Sequence, residues 1–114
     1  MKQNLFIYGT LEEPPVEKKI IGRVLKLHHD VLKGFKKTKA KLEGGVYFII
    51  SPNKKSSVCG FIISITPSEL KKIDCYEGKD YKRVKVKLVS GKQVWVYERS
   101  RDWFLSILHL IGSL

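Results

Sequence analysis

Apolar positions in this chain fall in short runs set off by turn residues. Leu5-Phe6-Ile7-Tyr8 is a continuous apolar run closed by Gly9, which predicts a buried strand stopped by a turn. Glu12-Glu13-Pro14-Pro15 reads as a loop, because paired prolines remove donors and restrict the residues before them. Between Val16 and Lys41 the pattern is ambiguous. Ile20, Ile21, Val24, Leu25 and Leu27 fit a helix face, whereas Gly22 and the β-branched residues favour strand. Strands are the preferred reading, with His29 to Phe35 as the second one. Gly44-Gly45 marks a turn or a close backbone approach. Val46–Ser51 and Val58–Ile65 both read as strands, and the polar turn opening at Pro52-Asn53 predicts that they pair as a hairpin.

The clearest helix start is Thr66-Pro67-Ser68-Glu69. Thr66 is a capping residue, Pro67 suits the first helical position and Glu69 completes a capping box. Leu70 and Ile73 share a face, and Gly78 supplies a left-handed stop after Tyr76-Glu77. Val84, Val86 and Leu88 then alternate with Arg83, Lys85 and Lys87, the signature of a half-buried strand. Ser90-Gly91 turns it into Gln93–Tyr97, a second hairpin. From Trp103 the apolar positions Phe104, Ile107, Leu108, Leu110 and Ile111 suit an amphipathic helix. About six strands and two helices predict an α+β fold with a small, mostly antiparallel, barrel-like sheet and flanking helices. Residues 1–100 form the domain, and residues 101–114 an apolar helical tail packing on the domain or on a partner.

Composition narrows the classes. The chain has 114 residues, the size of one domain. Hydrophobic content of 43% with 29% charged residues is that of a globular chain. The first residues show no signal-peptide pattern, and no apolar run is long enough to span a bilayer. Cys59 and Cys75 lack metal-ligand spacing and read as buried free thiols of a cytoplasmic protein. Net charge is +11. A basic surface attracts nucleic acid, but these lysines are scattered and few aromatics interleave with them to stack bases. A solvated lysine-rich surface is therefore the favoured reading, and the field it creates suits anionic small molecules.

Among common catalytic constellations, the sequence leaves a Ser/His/Asp triad open but shows no motif for one. There is no glycine-rich phosphate loop and no nucleophile elbow. His28-His29 point to opposite faces of a strand and read as ordinary surface histidines. Two features remain. At Tyr8-Gly9-Thr10-Leu11 a strand runs into a glycine turn, where successive backbone N–H groups can converge on an anion. At Asp74-Cys75-Tyr76-Glu77-Gly78 an acid sits at a helix end, against the dipole preference and among Tyr76 and Tyr81. That placement suits a carboxyl of raised pKa, although an exposed carboxylate near Arg83 fits the same residues.

Taken in order, these motifs resemble the γ-glutamylcyclotransferase-like family. The matching segments are Phe6-Ile7-Tyr8-Gly9-Thr10-Leu11, Val58-Cys59-Gly60 with the apolar strand after it, Asp74-Cys75-Tyr76-Glu77-Gly78, Tyr81-Lys82-Arg83, and Gly91 to Tyr97. The resemblance spans most of residues 4–97. It implies a small β-barrel with flanking helices. It implies that the backbone of Tyr8, Gly9, Thr10 and Leu11 holds a substrate α-carboxylate, that Glu77 is the catalytic carboxylate and that Tyr81 lines the pocket. It implies cyclisation of a γ-glutamyl amine or peptide to 5-oxoproline with release of the amine, with oxyanion stabilisation near Gly9 or Gly45. Neither metal nor cofactor is called for. The chain departs from the family in its first loop. Members often carry a glycine or basic residue and then an Asn-His pair there, where this chain has Glu12-Glu13-Pro14-Pro15. Two other readings therefore stand beside the enzyme: a non-catalytic small-molecule-binding module of the same fold and, on charge alone, a nucleic-acid binder. The expected partner is a small γ-glutamyl compound, and the expected assembly a monomer or dimer.

Overall fold

The structure is a computed structural model that describes residues 2–42, 45–78 and 81–99. Strand β1 (Gln3–Ile7) is followed by a short 3-10 turn (Thr10–Glu12) and helix α1 (Pro14–Ile21). Strands β2 (His28–Leu42) and β3 (Gly45–Ile65), helix α2 (Pro67–Glu77), and strands β4 (Tyr81–Lys87) and β5 (Gln93–Arg99) complete the described chain. The sheet order is β2-β3-β1-β5-β4, antiparallel except where β1 runs parallel to β5 through Leu5–Trp95 and Phe6–Val96.

The apolar run of β1 is continuous because both of its faces are covered, as a central strand requires. Leu5 and Ile7 pack with Ile63, Ile65, Tyr97 and the helix residues Ile21, Leu70 and Ile73. Phe6 and Tyr8 pack on the opposite face with Leu32, Ile50, Val58, Ile62, Val94 and Val96. The helices thus lie on one side, and the sheet curls round its other side into a half-barrel. Its rims approach each other where the Val89 N–H, in the turn after β4, donates to the Val31 carbonyl of β2 at 2.9 Å. Hydrogen bonding from Ser90 also holds the Asp30 carboxyl of β2 below the usual range.

Helix α2 starts as its sequence predicts. The Thr66 hydroxyl accepts the Glu69 N–H, and the Glu69 carboxylate accepts the Thr66 N–H. Arg23 adds two bonds to the same carboxylate, at 2.8 and 2.9 Å. Gly78 follows Glu77 with φ +69°, a value that side chains rarely adopt. The hairpin of β4 and β5 also forms as predicted, with Val84 opposite Val96 and Val86 opposite Val94.

Four expectations need correction. Residues Pro14–Ile21 are helical, not a loop leading into a strand. Prolines break helix interiors, but in the first turn their missing N–H has no helical partner to lose, and Pro14 presets φ. Gly22, at φ +91°, ends this helix rather than marking a strand, and its N–H bonds the Lys18 carbonyl. Buried Glu17 then accepts the Leu25 N–H at 3.0 Å and ties the following loop to the helix.

The second correction concerns Val46–Ser51 and Val58–Ile65, which do not pair with each other. Both lie in β3 and pair with the long β2, from His28–Ile62 to Lys33–Ser57 and then from Phe35–Pro52 to Leu42–Gly45. Asn53–Ser56 bulge out opposite Gly34, which has φ +87°. The lysine-rich half of β2 lacks apolar alternation, so only its backbone pairing reveals it as a strand. Third, the described residues hold five strands rather than six. Fourth, Cys59 and Cys75 are free but exposed, not buried. Cys59 stands beside the core residue Val58, on the outward face of β3, and Cys75 lies on the outward face of α2. The predicted helical tail lies outside the described residues. No helix among the described residues is long and apolar enough to cross a membrane.

Candidate active site

A cavity of about 240 Å³ opens where the end of β1 meets the end of α2. The Tyr8–Leu11 segment forms one wall and Glu77 faces it, with Phe48 from β3, Tyr81 from β4 and Tyr97 from β5 closing the sides. The two features singled out in the sequence, more than sixty positions apart, therefore share one pocket. The helix cap at Thr66 sets where α2 begins, and Gly78 sets where it ends, so Glu77 falls at the helix terminus nearest β1.

Glu77 is half-buried, and desolvation raises its carboxyl to a pKa of about 7. Burial disfavours the charged form, and among the described residues no cation offsets it. Arg83, the basic residue the sequence set near Glu77, is engaged elsewhere. Its guanidinium pairs with Asp74, with Nε 3.2 Å from Oδ1 and a terminal N–H donated to Oδ2 at 3.2 Å. The Nε contact is an ion pair without hydrogen-bond alignment. The guanidinium also lies 4.3 Å from the centre of the Trp95 ring.

The 3-10 turn starts at Gly9 without a side-chain cap. The first N–H groups of such a turn have no carbonyl within it to bond. The Gly9 carbonyl accepts the Glu12 N–H at 3.0 Å, which folds the segment back and turns its leading edge to the cavity. Gly9 has φ −137°, so no left-handed geometry demands glycine here. A Cβ on Gly9 would instead stand 3.7 Å from Phe48 and take up space at the cavity wall.

Tyrosine hydroxyls fix the frame. Tyr8 donates to the Tyr97 backbone carbonyl, locking the end of β1 onto β5. Tyr97 donates to Asp74 Oδ1, locking β5 onto α2. Tyr81 donates to the Phe48 carbonyl at 2.7 Å. Thr10 and Tyr76 share a hydrogen bond of 3.1 Å across the mouth. Phe48, Tyr76 and Tyr97 were not singled out in the sequence as site residues. For Tyr97 the only available signal was an aromatic at the end of the closing strand. Asp74 and Arg83 belong to the matched motifs, and their ion pair gives a physical reason for both. Gly45 opens β3 opposite Leu42. His28 and His29 are exposed on β2, away from the cavity walls. Among the described residues no cluster of His, Cys, Asp and Glu is arranged to hold a metal.

Comparison with known proteins follows the same lines. The model of the family described as "Gamma-glutamyl cyclotransferase, AIG2-like" matches residues 5–106. AIG2-like protein A of Arabidopsis thaliana is 33% identical over 111 residues, covering 89% of this chain and 66% of that protein. AIG2-like protein B of the same plant is 33% identical over 87 residues, covering 75% of this chain and 49% of its own length. The chain thus spans about half to two thirds of the length of these curated relatives. An Arabidopsis thaliana protein solved in solution superposes with a TM-score of 0.76 at 27% identity, covering 95% of this chain and 83% of that one. A structure titled gamma-glutamyl cyclotransferase superposes at 0.70 with 19% identity, over 88% of this chain and 68% of that one, a likeness of fold.

Proposed function

Since the chain belongs to the AIG2-like gamma-glutamyl cyclotransferase family, we propose that it cyclises a γ-glutamyl amine or peptide to 5-oxoproline and releases the free amine. One observation carries this reading: Glu77, with its carboxyl at about 7, shares a cavity with the Tyr8–Leu11 backbone. A carboxyl poised near neutrality serves both as base and as acid.

In this reading the N–H groups at the start of the 3-10 turn hold the substrate α-carboxylate. Glu77 takes a proton from the α-ammonium group. The freed nitrogen attacks the γ-carbonyl carbon, and the new C–N bond closes a five-membered ring. The carbonyl oxygen carries the developing negative charge. Protonated Glu77 then returns its proton to the departing nitrogen, the original amide C–N bond breaks, and the second proton shed by the ring nitrogen passes to the freed amine, which leaves as an ammonium. Nucleophile and electrophile belong to one molecule, so holding the chain folded supplies much of the rate. The aromatic walls exclude water, which favours ring closure over hydrolysis.

The test is to incubate the purified protein with a panel of γ-glutamyl compounds and measure 5-oxoproline. Turnover by the wild type, lowered about 10²-fold or more in Glu77→Gln, is the expected outcome. Unchanged turnover in that variant would remove Glu77 from the reaction. A second reading is a binding module without turnover, favoured by the helical Glu13-Pro14-Pro15 start in place of the family's usual first loop. Saturable ligand binding with no 5-oxoproline from any compound would select it.

A further inference from the structure

The hydroxyl protons around the cavity have assigned directions. A carbonyl and an ionised carboxylate only accept, so Tyr8 must donate to the Tyr97 carbonyl and Tyr97 must donate to Asp74. Both oxygens of the Asp74 carboxylate are paired with Arg83, whose guanidinium has only donors. A phenol has one proton. Once that proton is committed, the oxygen offers its surroundings lone pairs alone. The Tyr97 side chain is buried, lines the cavity and lies within electrostatic reach of Glu77. Its oxygen therefore presents an acceptor, never a donor, to whatever occupies the pocket. The adjoining wall, at the start of the 3-10 turn, presents N–H donors. Donors and an acceptor set beside each other suit a ligand carrying a carboxylate and an ammonium on one carbon.

We propose that Asp74 is a positioning residue: by accepting the hydrogen bond that the Tyr97 hydroxyl donates, it makes the Tyr97 oxygen a fixed acceptor for the α-ammonium group of the bound ligand. This inference rests on the γ-glutamyl reading of the cavity and deepens it. Asp74 does not touch the ligand. It sits at the outer end of the contact, half-exposed, with Arg83 holding it in place against the Trp95 ring.

Substitution separates this role from scaffolding. In Asp74→Asn the amide oxygen turns to Arg83, which has only donors, and the amide NH₂ faces Tyr97. Tyr97 then accepts, and its proton swings into the cavity against the ammonium. In Tyr97→Phe the acceptor is removed and the packing ring is kept. The probes are L-glutamate and glutarate, which differ only by the α-ammonium. Their affinities are measured by calorimetry for the wild type and both variants, and 5-oxoproline release from the γ-glutamyl panel is followed in parallel. The expected result is a wild-type preference for glutamate that falls about tenfold or more in each variant, while glutarate affinity stays within about twofold. Equal weakening of both probes makes Asp74 a scaffold residue only and overturns the proposal, as does an unchanged preference. Turnover of γ-glutamyl compounds without that preference sinks the ammonium site alone. A preference for glutamate without turnover keeps the site and removes the enzyme reading. Neither turnover nor preference removes both.

Discussion

Gly60 of β3 stands against the Ile7 carbonyl of β1 with no room for a side chain. A Cβ there would meet the carbonyl oxygen and come 2.6 Å from Phe6 Cζ. Ile7 is the last residue of β1, so the close approach fixes the height at which the chain leaves the sheet and enters the cavity wall. Gly60→Ala is expected to push β1 off β3, at a cost of about 1–3 kcal/mol in denaturant unfolding. It also displaces Tyr8, and any ligand affinity of the cavity is expected to drop with it. A variant as stable as the wild type, with ligand binding intact, would show that the approach has no structural consequence.

Glu77 also predicts how stability depends on pH. Its folded pKa, about 7, lies above its unfolded value near 4.5. The unfolded chain therefore ionises first as pH rises, and folding is penalised progressively from about pH 4.5 to pH 7. The full penalty is on the order of 3 kcal/mol and is reached above pH 7. Glu77→Gln cannot ionise. It is expected to match the wild type near pH 4 and to exceed it by that amount at pH 8. Denaturant curves at the two pH values measure the difference, and parallel behaviour of the two proteins would contradict the buried carboxyl.

The capping box of α2 makes the opposite kind of prediction. The Arg23 hydrogen bond, foremost, lowers the Glu69 carboxyl to about 2. A depressed carboxylate stabilises the fold above its unfolded pKa, and that contribution is lost as pH falls from about 4.5 through 2. Thr66→Ala removes one half of the box and is expected to cost about 1 kcal/mol at neutral pH. Glu69→Gln is expected to lower stability at pH 7 and to leave it nearly unchanged at pH 2. Because α2 carries Glu77 at its far end, either change also loosens the cavity, so any turnover is expected to fall together with stability.

Both cysteines are free and exposed, so both are expected to react with a thiol reagent in the native protein at rates close to those of the unfolded chain. Protection of either thiol, measured by titration before and after denaturation, would contradict its placement.

What was legible in the sequence was local. The β1 run with its glycine stop, the Thr66 cap, the alternation of β4 and the Ser90-Gly91 turn all fix their own backbone through neighbours a few residues away. The ordered motifs carried the family, and with it the two walls of the cavity. Other features depended on distant partners. Pro14-Pro15 reads as a break until α1 is seen packing on the sheet. The lysine-rich half of β2 reads as a linker until β3 pairs with it. Asp74 and Arg83 are nine positions apart and look like ordinary surface charges. Only the fold brings them to Tyr97, and Tyr97 to Tyr8. The physical reason is that a proton's direction in a hydrogen bond, and the desolvation of a carboxyl such as Glu77, depend on groups that chain folding alone makes neighbours. Sequence by itself determined the locally encoded elements (β1, α2 and the β4–β5 hairpin) and nominated the acid. Tertiary structure decided what surrounds that acid, and so how readily it ionises and which way the hydroxyls beside it point.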